Sequence, residues 1–257
     1  MGNKSKQKGF SFLEIAVVLS VIGLMMAAIM TGSYLLSAAK LNAIITDVAH
    51  VKSAVENFQI KYNGLPGDMP DADRFWGTSC VDSGDNSCNG DGDKRIEYNS
   101  TTLFEDLRAW QHLSLSGYYP GDFSGLVSNN RFALGGNAPA SEKDGVGYWI
   151  MRPLAGTSYY GQTGNLIMVG AVDETAGTMN AAGLTVQEAH TLDLKTDDGE
   201  PDEGSVFVGR GVDVGDDRCL TGAAPVGEIT EASGAFEFED LELSCVMAFW
   251  IEQDETD

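Results

Sequence analysis

The stretch KGFSFLEIAVVLSVIGLMM, residues 8–26, sets one acid, Glu14, near the start of an apolar run that carries no further charge until Lys40. The 22 positions from Ile15 to Leu36 are uncharged. At about 1.5 Å per residue, a helix of that length crosses a hydrocarbon core of about 30 Å. Lys4, Lys6 and Lys8 precede it with no acid among them, which holds the short N-terminal side in the cytoplasm and sends the remainder across. A cleaved secretory signal also begins basic and then apolar, but its apolar core is shorter and ends at a small-residue cleavage site. A plain single-pass anchor fits the length and the flanking charge. It gives no reason for Glu14, because a carboxylate inside a membrane is costly and takes a partner.

Beyond the run, charge is segregated. The 257 residues carry 38 acids against 16 bases, a net charge of −22. Residues 1–62 are net positive and residues 63–257 strongly negative, so the two parts face different surroundings. The acidic bulk is a poor partner for nucleic acid and reads first as a solvated, self-repelling surface, with cation binding as the sharper alternative. From Lys40 to Tyr62 the apolar positions Leu41, Ile44, Ile45, Val48, Val51, Val55, Phe58 and Tyr62 recur every three or four residues. That spacing predicts an amphipathic helix continuing the first. One helix from Phe10 to Tyr62 would be about 80 Å long, and Asn63, Gly64 and Pro66 supply the stop. A lone His50 on it reads as structural.

The N-terminal features combine into a pattern: a short basic leader ending in Gly9, then Phe10, then Glu14 as the fifth residue after that glycine, then the apolar run. This resembles the type IV pilin and pseudopilin family. The resemblance implies that a prepilin peptidase and methyltransferase cuts between Gly9 and Phe10 and methylates the new N-terminal Phe10. Glu14 would then pair with the amine of a neighbouring subunit during filament assembly. It implies a pilin-like α+β fold, a long N-terminal helix packed on an antiparallel β-sheet head. The expected segments are a cleaved leader (1–9), a membrane-spanning half (10–36), an amphipathic half (37–62) and an acidic head (63–257). The implied partners are the peptidase, other pilin or pseudopilin subunits, the inner-membrane assembly platform and, before assembly, the membrane itself. The head would be periplasmic, and the filament periplasmic or extracellular. Many major pilins carry a proline about two thirds along the membrane half. Here that neighbourhood reads MTGS, with Gly32 and no proline, as is common in minor pseudopilins.

In the head, YNGLPGDMPDADRFWG, residues 62–77, reads as a turn-rich linker with two aromatic anchors, Phe75 and Trp76. In CVDSGDNSCNGDGDKRIEY, residues 80–98, Asn89, Asp91 and Asp93 alternate with glycines that let the backbone curl, so oxygens can converge on a hard cation such as calcium. Asp85 and Glu97, with Asp82 and Ser87, are near enough to complete a cage. The motif is not an EF-hand, and a solvated Asp/Gly turn explains the same residues. DDGEPDEG, residues 197–204, is a second such loop through Asp197, Asp198 and Asp202. No cofactor is required; calcium is the one ion these loops invite.

Cys80, Cys88, Cys219 and Cys245 all follow the span, in an oxidising compartment, and four cysteines allow three connectivities. The favoured pairs are Cys80 with Cys88, clamping the acidic loop, and Cys219 with Cys245, which resembles the C-terminal disulfide loop of many pilins. Helices are predicted over 101–115, with Thr102 and Glu105 as a capping box and Leu103, Leu107 and Trp110 on one face, and over 185–195, with Thr185 and Glu188 as another. Strands are predicted in VGYWIMRP (146–153), NLIMVGAV (165–172), SVFVGRGVDV (205–214), GAFEFEDL (234–241) and LSCVMAFWIE (243–252). No HExxH, phosphate-binding loop, GxSxG or dinucleotide fingerprint occurs. The expectation is therefore a structural subunit, minor or atypical, and not an enzyme. The competing reading is a membrane-anchored extracytoplasmic binding or enzymatic domain that does not polymerise.

Overall fold

The computed structural model describes residues 11–80, 88–98, 104–128, 131–153, 164–214, 218–221, 235–239 and 241–253. Its first element is a 51-residue helix, α1, Phe12–Tyr62. Ser11 starts it: its hydroxyl accepts the Leu13 N–H at 3.4 Å, and Glu14 Oε2 accepts the Ser11 N–H at 2.9 Å. This reciprocal cap satisfies donors that a helix start leaves bare. Asn63, at φ 55°, ends the helix in the left-handed conformation, with its N–H on the Gln59 carbonyl at 2.8 Å.

The chain divides into two compact units after Lys40. In the first, every Ile, Leu, Val and Met side chain of α1 from Leu13 to Leu36 is exposed. In the second, α1 contributes Leu41, Ile44, Val48, Val51, Ala54, Val55 and Phe58 to the core.

The head unit is built on one antiparallel sheet. Its strands are β1 (Val146–Met151), β2 (Gly164–Asp173), β3 (Thr178–Ala181), β4 (Val206–Arg210) and β7 (Cys245–Gln253), in the order β1-β2-β7-β4 with β3 also on β2. Ile167 lies opposite Ile150 of β1 and Phe249 of β7, and Val208 lies opposite Met247. One edge of β2 is taken by β1, so β7 and β3 share the other in succession. Every position of β1 and β4 is buried, so the sheet is covered on both faces. This explains strands that read as near-continuous apolar runs instead of alternating ones.

Helix α3 (Glu105–Leu115) packs on β1, and α4 (Val186–Thr196) on β4 and β7. The head half of α1 is tied in by the Tyr148 hydroxyl, which donates to Asp47 at 2.7 Å, and by Lys195, which donates to Asn42 at 2.9 Å. His50 stacks on Tyr119, ring centroids 5.1 Å apart. Disulfides join Cys80 to Cys88 and Cys219 to Cys245.

Three expectations change. The helix predicted from residue 101 begins at Glu105, with Phe104 in the left-handed conformation at its N-cap. The Glu105 carboxylate accepts the Asp91 and Glu97 amides; Thr102, its expected capping partner, and Leu103 lie outside the described residues. Among the described residues of GAFEFEDL, Ala235–Phe236 (β6) is the strand. It pairs with β5 (Leu220–Thr221) outside the main sheet, since Phe236 and Phe238 turn onto His190 at 4.9 and 5.1 Å. Strand β3 was not predicted at all. It is returned to β2 by a turn in which Asp173 accepts the Thr175 and Ala176 amides and Gly177 takes φ 67°. The box at Thr185 and Glu188 is present as read, and the turn-rich linker contains a one-turn helix, α2 (Asp73–Trp76).

Candidate functional site

The first candidate is the N-terminal segment. Gly9 and Phe10 lie outside the described residues. Glu14 occupies the first turn of α1, exposed, with Oε2 holding the Ser11 amide. Among the described residues, the other carboxylate oxygen of Glu14 has no hydrogen-bond partner. The S-x-x-E spacing of Ser11 and Glu14 is a readable cap signature that the sequence reading passed over. Phe12–Tyr62 is, among the described residues, the helix long and apolar enough to cross a membrane, and none of its most apolar stretch is buried.

The second candidate is the loop around NGDGD. Asp85 lies outside the described residues. Asp91 and Asp93 come together with Asp68, not with Glu97: one oxygen of each of the three lies within 4.8 Å of the others. Asp68 is buried and acts as an organiser. Its Oδ1 accepts the Gly92 and Asp93 amides at 2.7 and 3.0 Å, and its Oδ2 accepts the Lys94 amide at 2.9 Å. Glu105 does the same from α3, taking the Asp91 amide at 3.1 Å and the Glu97 amide at 3.0 Å. Asn89 turns its side-chain oxygen to the Asp73 amide.

The backbones meet so closely that two glycines are required. A Cβ on Gly67 would sit 2.2 Å from the Glu105 carbonyl, and one on Gly90 would sit 2.4 Å from Asp68. Burial, opposed by these amides and reinforced by neighbouring acids, pushes Asp68 up to about 6 and Glu105 up to about 8. What these two raised groups add to stability is full below the ordinary carboxylate range. It fades as pH rises through about 6 and about 8.

His112 closes the same corner. It accepts the Gly67 amide on Nδ1 at 2.9 Å, and Nε2 meets the Cys88 carbonyl at 3.0 Å. That pairing requires the neutral ring with its proton on Nε2. Cys80, Cys88 and His112 are close enough for a metal, but the disulfide removes both thiolates and both ring nitrogens are used. Burial, with Arg108 adding to it, drives His112 down to about 3 against the Cys88 bond. A base lowered on folding stabilises fully above its ordinary value of 6.5, and that contribution is lost as pH falls toward 3. The ring resonances of His112 should therefore not titrate between pH 8 and 5 by NMR. A titration near the ordinary imidazole value would contradict the buried neutral ring.

The third candidate is at the end of α4. Asp197 and Asp198, read from the sequence, come together with Asp193 and not with Asp202, their oxygens within 4.8 Å of one another. Asp193 was missed because it reads as one more helix residue, although its i,i+4 relation to Asp197 is the signal that would have found it. Asp193 is 0% exposed and lies just beneath half-buried Asp197 and exposed Asp198. Burial first, then Asp198, Asp197 and Glu200, push its carboxyl up to about 7. The Gly199 amide pulls the other way, without the geometry of a full hydrogen bond.

An exposed apolar helical run joined to an antiparallel-sheet head defines an α+β protein of pilin-like layout, compatible with membrane anchoring. Residues 4–30 narrow the class: they match the prokaryotic N-terminal methylation motif, the prepilin-type cleavage and methylation signal of type IV pilins and pseudopilins. Comparison with curated proteins and with solved structures gives no match.

Proposed function

We propose that this chain is a structural subunit, minor or atypical, of a type IV pilus or type II secretion pseudopilus. It is stored as a single-pass inner-membrane protein with its head in the periplasm. The prepilin peptidase cuts after Gly9, and Phe10 is methylated. The subunit is then drawn by the assembly platform into a filament with other pilin-type subunits, performing no catalysis of its own. The observation that carries this reading is the methylation motif over residues 4–30, with its acid set at the start of an exposed apolar helix.

Cleavage would create a positive amine on Phe10, and the Glu14 carboxylate can accept a hydrogen bond from that amine of a neighbouring copy. Each charge neutralises the other in a low-dielectric filament core, whereas a lone one costs several kcal/mol. Pairing therefore enforces axial register. Mass spectrometry of native polymerised protein tests this, with N-methyl-Phe10 as the expected N-terminus. Polymer that retains Met1 would overturn the reading, and intact protein found only as unassembled membrane material would favour an anchored, non-polymerising domain.

A further inference from the structure

We propose that Asp193, Asp197 and Asp198 form a binding site for a hard divalent cation of the calcium type, a role separate from filament assembly. Asp193 sends a fully buried carboxylate into this cluster, and neither of its oxygens has a hydrogen-bond partner among the described residues. A buried carboxylate without donors is among the costlier groups a fold can hold, and native structures satisfy such groups or place an ion on them. Two further acids, Asp197 and Asp198, stand beside it, with the Gly199 amide near but short of a full hydrogen bond. Asp197 spends Oδ2 on the Ser205 and Val206 amides and keeps Oδ1. Asp198 spends Oδ1 on the Glu200 amide and keeps Oδ2. Among the described residues Asp193 thus has both oxygens unspent, and Asp197 and Asp198 one each; one oxygen from each residue lies within 4.8 Å of the others, and the exposed Asp198 side admits water to complete a shell of six to eight oxygens.

The surroundings add to the demand for positive charge. The cluster sits on the last turn of α4 and its C-cap, the negative end of the helix dipole, where cations and not acids are favoured. The basic residue of that turn, Lys195, donates instead to Asn42. Lys52 on α1 feels the charge of Asp197, but no ion pair joins them among the described residues. The Asp68, Asp91 and Asp93 group differs, because the buried Asp68 already accepts three amides. The approach of Asp197 is built in: a Cβ on Gly204, at φ 74°, would lie 2.0 Å from Asp197 Oδ2. An ion here would clamp the end of α4 to the start of β4 through Asp197. Irregular carboxylate geometry with solvent suits calcium over magnesium, which demands a near-octahedral shell, and the ligand count fits the weak affinities of extracellular modules, about 10⁻⁴ to 10⁻³ M.

The test uses the full chain in detergent, stripped with chelator and titrated with calcium chloride by calorimetry and thermal melting. Wild type should bind calcium with a saturating rise in Tm, and Asp198→Asn, at an exposed position, should bind about tenfold more weakly. Asp193→Asn should lose the calcium response and melt higher than wild type in chelator, because the repulsion is gone. A wild-type melt indifferent to calcium overturns the proposal, as does an undiminished response in Asp198→Asn. Loss of the response in Asp91→Asn with Asp93→Asn, and not in Asp198→Asn, would also overturn it by assigning the ion to the other loop.

Discussion

Glu14→Ala should insert into the membrane at wild-type level and should fail to enter filaments. Insertion depends on the uncharged run from Ile15 to Leu36 and the lysines before it, neither of which the substitution touches. Assembly would bring the amine of Phe10 into a core with no acceptor. An uncompensated buried charge costs about 3–5 kcal/mol, a loss of two orders of magnitude or more in incorporation at about 1.4 kcal/mol per factor of ten. A smaller effect competes, because Glu14 also caps its own helix by holding the Ser11 amide at 2.9 Å, a contact worth about 1 kcal/mol. Glu14→Gln separates the two, since glutamine serves equally in a capping box and carries no charge. Filament yield of the glutamine variant, compared by shearing and immunoblot, should be as poor as that of alanine. If glutamine assembles normally, the carboxylate is a cap and the pairing idea fails.

Asp106→Ala should destabilise the head by about 3–5 kcal/mol, a large share of the 5–15 kcal/mol typical of a domain. Asp106, on α3, is fully buried. It takes Arg131 Nη2 on both oxygens at 2.8 Å and the Trp149 indole N–H at 2.8 Å. Arg131 also donates to the Tyr98 carbonyl, and its guanidinium lies 5.5 and 5.9 Å from the Phe104 and Phe132 ring centroids. Removing the acid leaves a cation among aromatics and an indole donor with no partner. Burial pushes Asp106 up and Arg131 opposes it, so the pair is held by geometry more than by an easy charge balance. Exchanging both residues for apolar ones of similar volume should cost far less than removing one. Urea midpoints of the full chain in detergent read both variants. A single and a double substitution of equal cost would show that volume, not the pair, matters.

The sequence exposed what depends on local pattern and hid what depends on distant burial. The periodicity in α1 named Leu41, Ile44, Val48, Val51, Val55 and Phe58, all of which are buried, because a helix repeats its face every few residues. The strands with long Val, Ile, Phe and Trp runs were legible for the same reason. TMNA was not, being too short and polar to announce β3, and GAFEFEDL misled because its phenylalanines cover a helix side and not a sheet. Glu105 read as a capping-box acid, and nothing local singles out Asp68 in the linker or Asp106 in the helix. They are buried because amides, an arginine and an indole far along the chain come to them. Asp193 was hidden likewise, by the continuity of the helix that carries it.

Strand β7, the last of the described strands, lies between β2 and β4 in the middle of the sheet. The head therefore cannot be completed piecemeal as the polypeptide emerges, since two earlier strands keep bare amide edges until residues 245–253 arrive between them. Such edges invite pairing with other chains. A premature stop upstream of Cys245 would thus yield an aggregation-prone remnant instead of a smaller working head.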